Sequence, residues 1–259
     1  MAEADYEYHG MMAQTWDLFR GDTSTWEDRK FYLEVIREAG QPVLDVGCGT
    51  GRLLVDYLSQ GVDIDGVDIS PEMIELCQKK MDAQGLKTSL YIGDMETMQL
   101  PRQYQTILVP SSSFQLLVEP LCASRAIANL YTHLLPGGTL VMPFMRLRKD
   151  GDTLEHDWHL NGEGTRQSDG ATVRRWSKDR FDPETKLEHN EDRYEIVKDG
   201  VVISSEHHVR SPATREYTQK QAMDLFIYAG FVDLRIYNDF THEQASAEDE
   251  IFTICGQRP

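Results

Sequence analysis

From residue 42 to residue 145, short apolar runs alternate with longer stretches of helical spacing. Pro42 to Val46 is a run of the buried-strand kind, followed by a glycine-rich turn. Arg52 to Ser59 reads as a helix closed by Gly61, and Val62 to Ile69 as a second strand. Ser70 is a helix cap, with Pro71 at the first helical position and Glu72 in the first turn. Met73, Ile74, Cys77 and Met81 share one face of that helix, and Gly85 ends it. Leu90 to Ile92 and Thr106 to Pro110 supply the third and fourth strands. A helix from about Leu121 to Leu135 stops at Pro136-Gly137-Gly138, and Thr139 to Phe144 is the fifth strand. Strand and helix in regular alternation predict a parallel sheet covered on both faces.

Residues 146–212 break this rhythm. Three β-prone runs, Thr172 to Phe181, Leu187 to Val197 and Val201 to Arg210, are separated by Asp182-Pro183-Glu184 and Lys198-Asp199-Gly200. Such turns predict antiparallel hairpins. The first rhythm then resumes: Thr218 caps a helix from Gln219 to Ala229, Gly230 stops it, and Phe231 to Tyr237 and Ile251 to Cys255 are two more strands. The first forty residues are aromatic and polar and read as one or two helices. The expected fold is therefore a doubly wound α/β domain with a seven-stranded, mostly parallel sheet. Residues 1–40 are a helical cap, 41–145 and 213–259 the core, and 146–212 an antiparallel β insertion after the fifth strand. The insertion is expected to serve as a substrate lid or as a contact in a homo-oligomer.

Composition narrows the function. A chain of 259 residues with 40% hydrophobic content can hold one large α/β domain with an elaboration, or two small domains. No stretch reaches the roughly eighteen apolar residues of a membrane helix. Met1 to Asp5 is acidic with no apolar run behind it, so neither a secretory nor a mitochondrial leader is expected. Cys48, Cys77, Cys122 and Cys255 lie far apart, which argues against a disulfide framework or structural zinc and for a reducing cytoplasm. A net charge of −17 disfavours nucleic acid as a partner.

The candidate chemistry lies after the first strand, where Gly47, Gly49 and Gly51 are spaced G-x-G-x-G. A dinucleotide fingerprint, G-x-G-x-x-G, would need glycine at position 52, which is Arg52, so an NAD-dependent oxidoreductase is disfavoured. No Gly-Lys-Ser/Thr follows, so a P-loop is absent. Asp45, inside the strand end, suits the cationic amino group of a methionine moiety better than a pyrophosphate. The run Leu44-Asp45-Val46-Gly47-Cys48-Gly49-Thr50-Gly51 resembles the first motif of class I S-adenosylmethionine-dependent methyltransferases. Asp68 in Val67-Asp68-Ile69-Ser70, the Gly93-Asp94-Met95 segment and Leu135-Pro136-Gly137-Gly138 match later motifs of that family in order. The resemblance implies a Rossmann-like methyltransferase fold that binds S-adenosyl-L-methionine and releases S-adenosyl-L-homocysteine. It implies cofactor contacts from Asp45, Gly47, Cys48, Gly49, Gly51 and Ile69, from Asp68 at the ribose, and from Asp94 and Met95 at the adenine.

After the fourth strand stands Pro110-Ser111-Ser112-Ser113-Phe114-Gln115, not the Asn/Asp-Pro-Pro-aromatic motif frequent in enzymes that methylate nucleobase amines or glutamine amides. With the aromatic cap and the insertion, this resembles a bacterial branch acting on small molecules, amino sugars and antibiotic precursors among them. In that branch Trp16-Asp17 stands where Tyr-Asp is usual. Tyr8 and Phe114 are accordingly expected to position the acceptor, and Trp16 and Ser111 to touch the cofactor. Methyl transfer is an in-line displacement for which positioning and desolvation supply most of the acceleration. An amine needs only to be neutral, whereas a hydroxyl benefits from a base. His156, His159, His207 and His208 read as surface or strand-face residues. His207 and His208, being adjacent, should face opposite sides of a strand. An amine acceptor is favoured, no metal ligand set is expected, and no membrane partner. The alternatives are O-methylation with a pocket histidine as base, and a protein that binds the cofactor without catalysis.

Overall fold

The computed structural model describes residues 6–149 and 151–259; the acidic Met1 to Asp5 lies outside them. Apolar periodicity builds a seven-stranded sheet first. Its strands are β1 (Val43–Val46), β2 (Ile64–Asp68), β3 (Leu90–Ile92), β4 (Tyr104–Leu108), β5 (Leu134–Met145), β10 (Val232–Asn238) and β11 (Ile251–Gln257), in the order β10-β11-β5-β4-β1-β2-β3. β1 pairs in parallel with β2 and β4, while β11 is antiparallel to β5 and β10. The central β1 is buried at every position, as a strand covered on both faces must be.

Helices α4 (Leu54–Ser59), α5 (Pro71–Ala83), α6 (Pro120–His133) and α7 (Gln219–Ala229) supply the covering layers. Two apolar cores result, one around Leu44, Ile107, Leu130 and Phe226, the other around Phe31, Val43, Leu54 and Ile64. The helix starts follow the local signals. Ser70 accepts the Met73 N–H at 3.1 Å, and Thr218 closes a reciprocal capping box with Gln221. Gly230 ends α7 in the left-handed conformation, φ +97°.

Chain order along the sheet reverses between β1 and β4, so a crevice opens at their carboxyl ends. The Gly47–Gly51 loop and the segment Pro110–Ser113 flank it.

The N-terminal residues form three helices, α1 (Gly10–Gln14), α2 (Trp16–Arg20) and α3 (Glu27–Ala39), rather than one or two. A second sheet holds β6 (Glu155–Thr165), β7 (Thr172–Asp182), β8 (Leu187–Lys198) and β9 (Val201–Arg215), all antiparallel in that order. The sequence pattern misses β6 because it is an edge strand exposed along most of its length, so no inside–outside alternation marks it. Its two glycines let α2 dock: a Cβ at Gly162 would lie 2.8 Å from Phe19, and one at Gly164 2.9 Å from Leu18. β9 continues to Arg215, beyond the expected end of the hairpins.

Candidate active site

The crevice holds a cavity of about 290 Å³. Its floor is the glycine loop. Gly47 has φ +70° and a Cβ there would meet Ser113 Oγ at 2.8 Å; Gly49 has φ +55° and a Cβ there would meet nothing within 4 Å. The loop thus brings backbone to the cavity where a side chain would intrude or be strained.

Two buried carboxylates face it. Asp68, at the end of β2, accepts the Gly49 N–H at 2.8 Å and the Ser70 N–H at 2.9 Å. Burial raises its pKa, and these hydrogen bonds oppose the rise. Asp45 is 1% exposed, and its Oδ1 has no hydrogen-bond partner. Its pKa is pushed up to about 7, chiefly by burial, with the Arg52 charge opposing and the Asp68 charge reinforcing. A buried acceptor left unpaired costs about 1–3 kcal/mol, more if charged, so the site is set for a donor from outside the chain.

The cap closes the cavity from above. Asp17 accepts from Thr50 Oγ1 at 2.7 Å and pairs with Lys80 at 2.7 Å, which ties α2 to both the glycine loop and α5. Ser70 Oγ donates to the Tyr8 carbonyl at 2.5 Å. Tyr8 meets the Trp16 ring edge-on at 4.8 Å between centroids, and both line the cavity. Burial holds the Tyr8 phenol protonated, its pKa raised.

Arg20, one turn after Trp16, stands 4.6 Å from the centre of that ring and 5.4 Å from Trp26, and reaches Ser111 Oγ at 3.4 Å. It lines the cavity, and burial lowers its pKa. Ser111 itself holds φ +59°, a conformation rare for a side-chain-bearing residue and frequent at ligand sites. Glu7 also lines the cavity and pairs with Arg210 of β9, which pairs with Asp192 at 2.9 Å. Burial raises the Glu7 pKa against the pull of Arg210.

Of the residues expected at the site, Tyr8, Trp16, Asp45, Gly47, Cys48, Gly49, Asp68, Ile69, Asp94, Met95 and Ser111 line this one cavity. Cys48 does so while its thiol packs beside Gly66 and Cys77. Two of the expected residues stand outside this lining. Gly51 is outside the lining; a Cβ there would lie 2.5 Å from Cys77 Sγ, so glycine serves the approach of α5. Phe114 is also outside it, because the 3₁₀ turn Ser113–Leu116 rotates its ring into the core against Phe144 and Tyr217. Gln115 turns inward too, bonding Met145 in both directions and donating to the Arg215 carbonyl at 2.9 Å, so it clasps the ends of β5 and β9. Leu116 and Leu117 line the cavity instead.

Arg20, Glu7 and Arg210 escape the sequence reading. Only Arg20 had a local signal, its spacing of one helical turn from Trp16.

Comparison with known proteins shows what this core is similar to. Residues 43–138 match the family model described as a methyltransferase domain. Over those residues the core resembles a methyltransferase domain. A putative methyltransferase of Geobacillus sp. is 28% identical over 105 residues, 40% of this chain and 42% of that protein. The dTDP-3-amino-3,4,6-trideoxy-alpha-D-glucopyranose N,N-dimethyltransferase of Streptomyces venezuelae is 30% identical over 100 residues, 39% of this chain and 40% of that protein. The chain thus aligns with about two fifths of the length of these curated relatives.

Likeness of fold extends further. An S-adenosylmethionine-dependent methyltransferase of Clostridium acetobutylicum superposes with TM-score 0.75 at 18% identity, over 95% of this chain and 97% of that one. A sugar N-methyltransferase of Streptoalloteichus sp. gives TM-score 0.75 at 21% identity, over 100% and 96%. The likeness of fold therefore extends over the N-terminal helices and the four-stranded sheet.

Proposed function

We propose that this chain transfers a methyl group from S-adenosyl-L-methionine to a small molecule, an amine in preference to a hydroxyl. The observation that carries the proposal is Asp45, a buried carboxylate on the cavity with one oxygen left without a partner. An ammonium group satisfies it and compensates its desolvation.

The other lining residues fit the remainder of that cofactor. Arg20 offers the cation for its carboxylate, backed by Trp16. Asp68 offers acceptors to the ribose hydroxyls, and Asp94 with Met95 borders the adenine. Ile69, at 39% exposure, gives the ring an apolar platform. When bound, S-adenosyl-L-methionine supplies a methyl group on a sulfonium, already activated for displacement. The faces of Tyr8 and Trp16 favour a cation near them. The cap, pinned by Asp17 and Ser70, keeps bulk water from the cavity and holds the acceptor near the floor.

Glu7, anchored by Arg210, gives the upper wall a carboxylate that binds an acceptor amine and receives its proton. No histidine, the base that the O-methylation alternative calls for, is among the described lining residues. Leu116 and Leu117 provide the apolar counterpart for the acceptor's body. The relative acting on an amino sugar and the sugar N-methyltransferase of the same fold support the same class of acceptor.

Calorimetry with S-adenosyl-L-methionine, S-adenosyl-L-homocysteine and NAD tests the cofactor. Saturable binding of the first two is expected, and binding of NAD alone would overturn the reading. A panel of amino sugars, other amines and matched alcohols, followed by S-adenosyl-L-homocysteine release, tests the acceptor. Turnover of alcohols only would point to O-methylation, and binding without any turnover to a cofactor-sensing protein.

A further inference from the structure

One group of metal-ligating side chains stands outside the cofactor cavity. His9, which precedes α1, meets Glu206 and His208 of β9, and one ligand atom from each lies within 4.8 Å of the others. Glu206 and His208 are two apart on a strand and so project from the same face. His207 projects from the other face, exposed and 3.2 Å from Glu191.

His208 is 6% exposed and its Nε2 has no hydrogen-bond partner. Glu206 Oε2 stands 3.6 Å from that nitrogen, outside hydrogen-bond range but within the span of two ligands sharing one ion. The His9 and His208 rings are 4.6 Å apart between centroids. Glu206 is oriented by the Met11 N–H, which donates to it. Gly10, with φ +54°, brings the chain so close that a Cβ there would collide with the Glu206 carboxylate.

We propose that His9, Glu206 and His208 bind a divalent transition-metal ion, Zn²⁺ by the chemistry of two imidazoles and one carboxylate, with water in the fourth position. The ion ties the cap to the four-stranded sheet. His9 directly follows Glu7 and Tyr8, so the tie bears on the upper wall of the cavity. The expectation of no metal set rested on spacing along the chain, and His9 lies far along the chain from Glu206 and His208.

The test is a titration of the full chain, stripped with a chelator, with Zn²⁺ alone, read by calorimetry and by competition with a chromophoric chelator. One Zn²⁺ per chain is expected, with a dissociation constant on the order of micromolar or tighter. His9→Gln and His208→Ala should each weaken it about 100-fold or more, while His207→Ala leaves it unchanged. Zn²⁺ should also raise the melting temperature of the parent chain and not that of His9→Gln. If the parent chain binds no Zn²⁺ at about 100 micromolar, or His9→Gln binds as tightly as the parent, the site is refuted. The half-buried His9 makes that variant decisive should His208→Ala fail to fold. Neither outcome depends on methyl transfer.

Discussion

The floor and the upper wall of the cavity are built on different plans. The floor comes from residues at the ends of β1 and β2, and its carboxylates are held by backbone N–H groups or, at Asp45 Oδ1, left without a partner. The wall is assembled across long stretches of chain: Glu7 to Arg210, Arg210 to Asp192, and Asp192 to Arg175 at 2.9 Å and Ser177. Changing the floor should therefore alter what is bound. Changing the wall should first alter whether the cap and the second sheet stay together.

Arg210→Met should show the largest effect. It leaves Glu7 and the 1%-exposed Asp192 with less compensation, a loss on the order of 3–5 kcal/mol in stability. Thermal unfolding checks this; a melting point within a degree of the parent would mean the charge chain does not hold the wall. Asp68→Asn should weaken S-adenosyl-L-homocysteine binding by about 1–3 kcal/mol, since charge-assisted hydrogen bonds are at stake. Calorimetry at constant pH reads it, and unchanged affinity would remove Asp68 from the site.

The pH dependence tests Asp45. Its folded pKa, about 7, stands above the ordinary 3.8, so folding favours the protonated form. The stabilisation is complete below about pH 4 and is lost as pH rises through about 7. Ligand-free protein should therefore weaken between pH 5 and 8 by roughly 1–3 kcal/mol, and Asp45→Asn should flatten that stretch. Cofactor affinity should run the opposite way, falling up to about tenfold per unit below pH 7 in the parent only. Parallel profiles for parent and variant would place the titration elsewhere. Phe114→Leu should cost about 1–2 kcal/mol of stability and leave cofactor affinity and KM for the acceptor unchanged. A shift in KM would return Phe114 to the acceptor site.

Legibility follows the same division. The glycine spacing, Asp45, Asp68 and the Gly93-Asp94-Met95 turn declare themselves because each needs only its immediate neighbours. The caps at Ser70 and Thr218 are as local. Phe114 misleads because an apolar residue in an apparent loop gives no sign that a 3₁₀ turn rotates it inward. The role of Gly51 is not legible for a simpler reason: a third glycine in the motif looks alike whether it faces a ligand or a helix. β6 is hidden because an exposed edge strand carries no burial pattern.

The sequence by itself determined the sheet, the glycine floor and the carboxylates beneath it, since hydrophobic period and turn chemistry act over a few residues. Only the tertiary structure decided which charges share the wall, that Gln115 clasps β5 to β9, and that His9 meets Glu206 and His208. Those contacts arise when buried charges and donors must find partners wherever packing brings the chain together, and no local rule along the sequence specifies that choice.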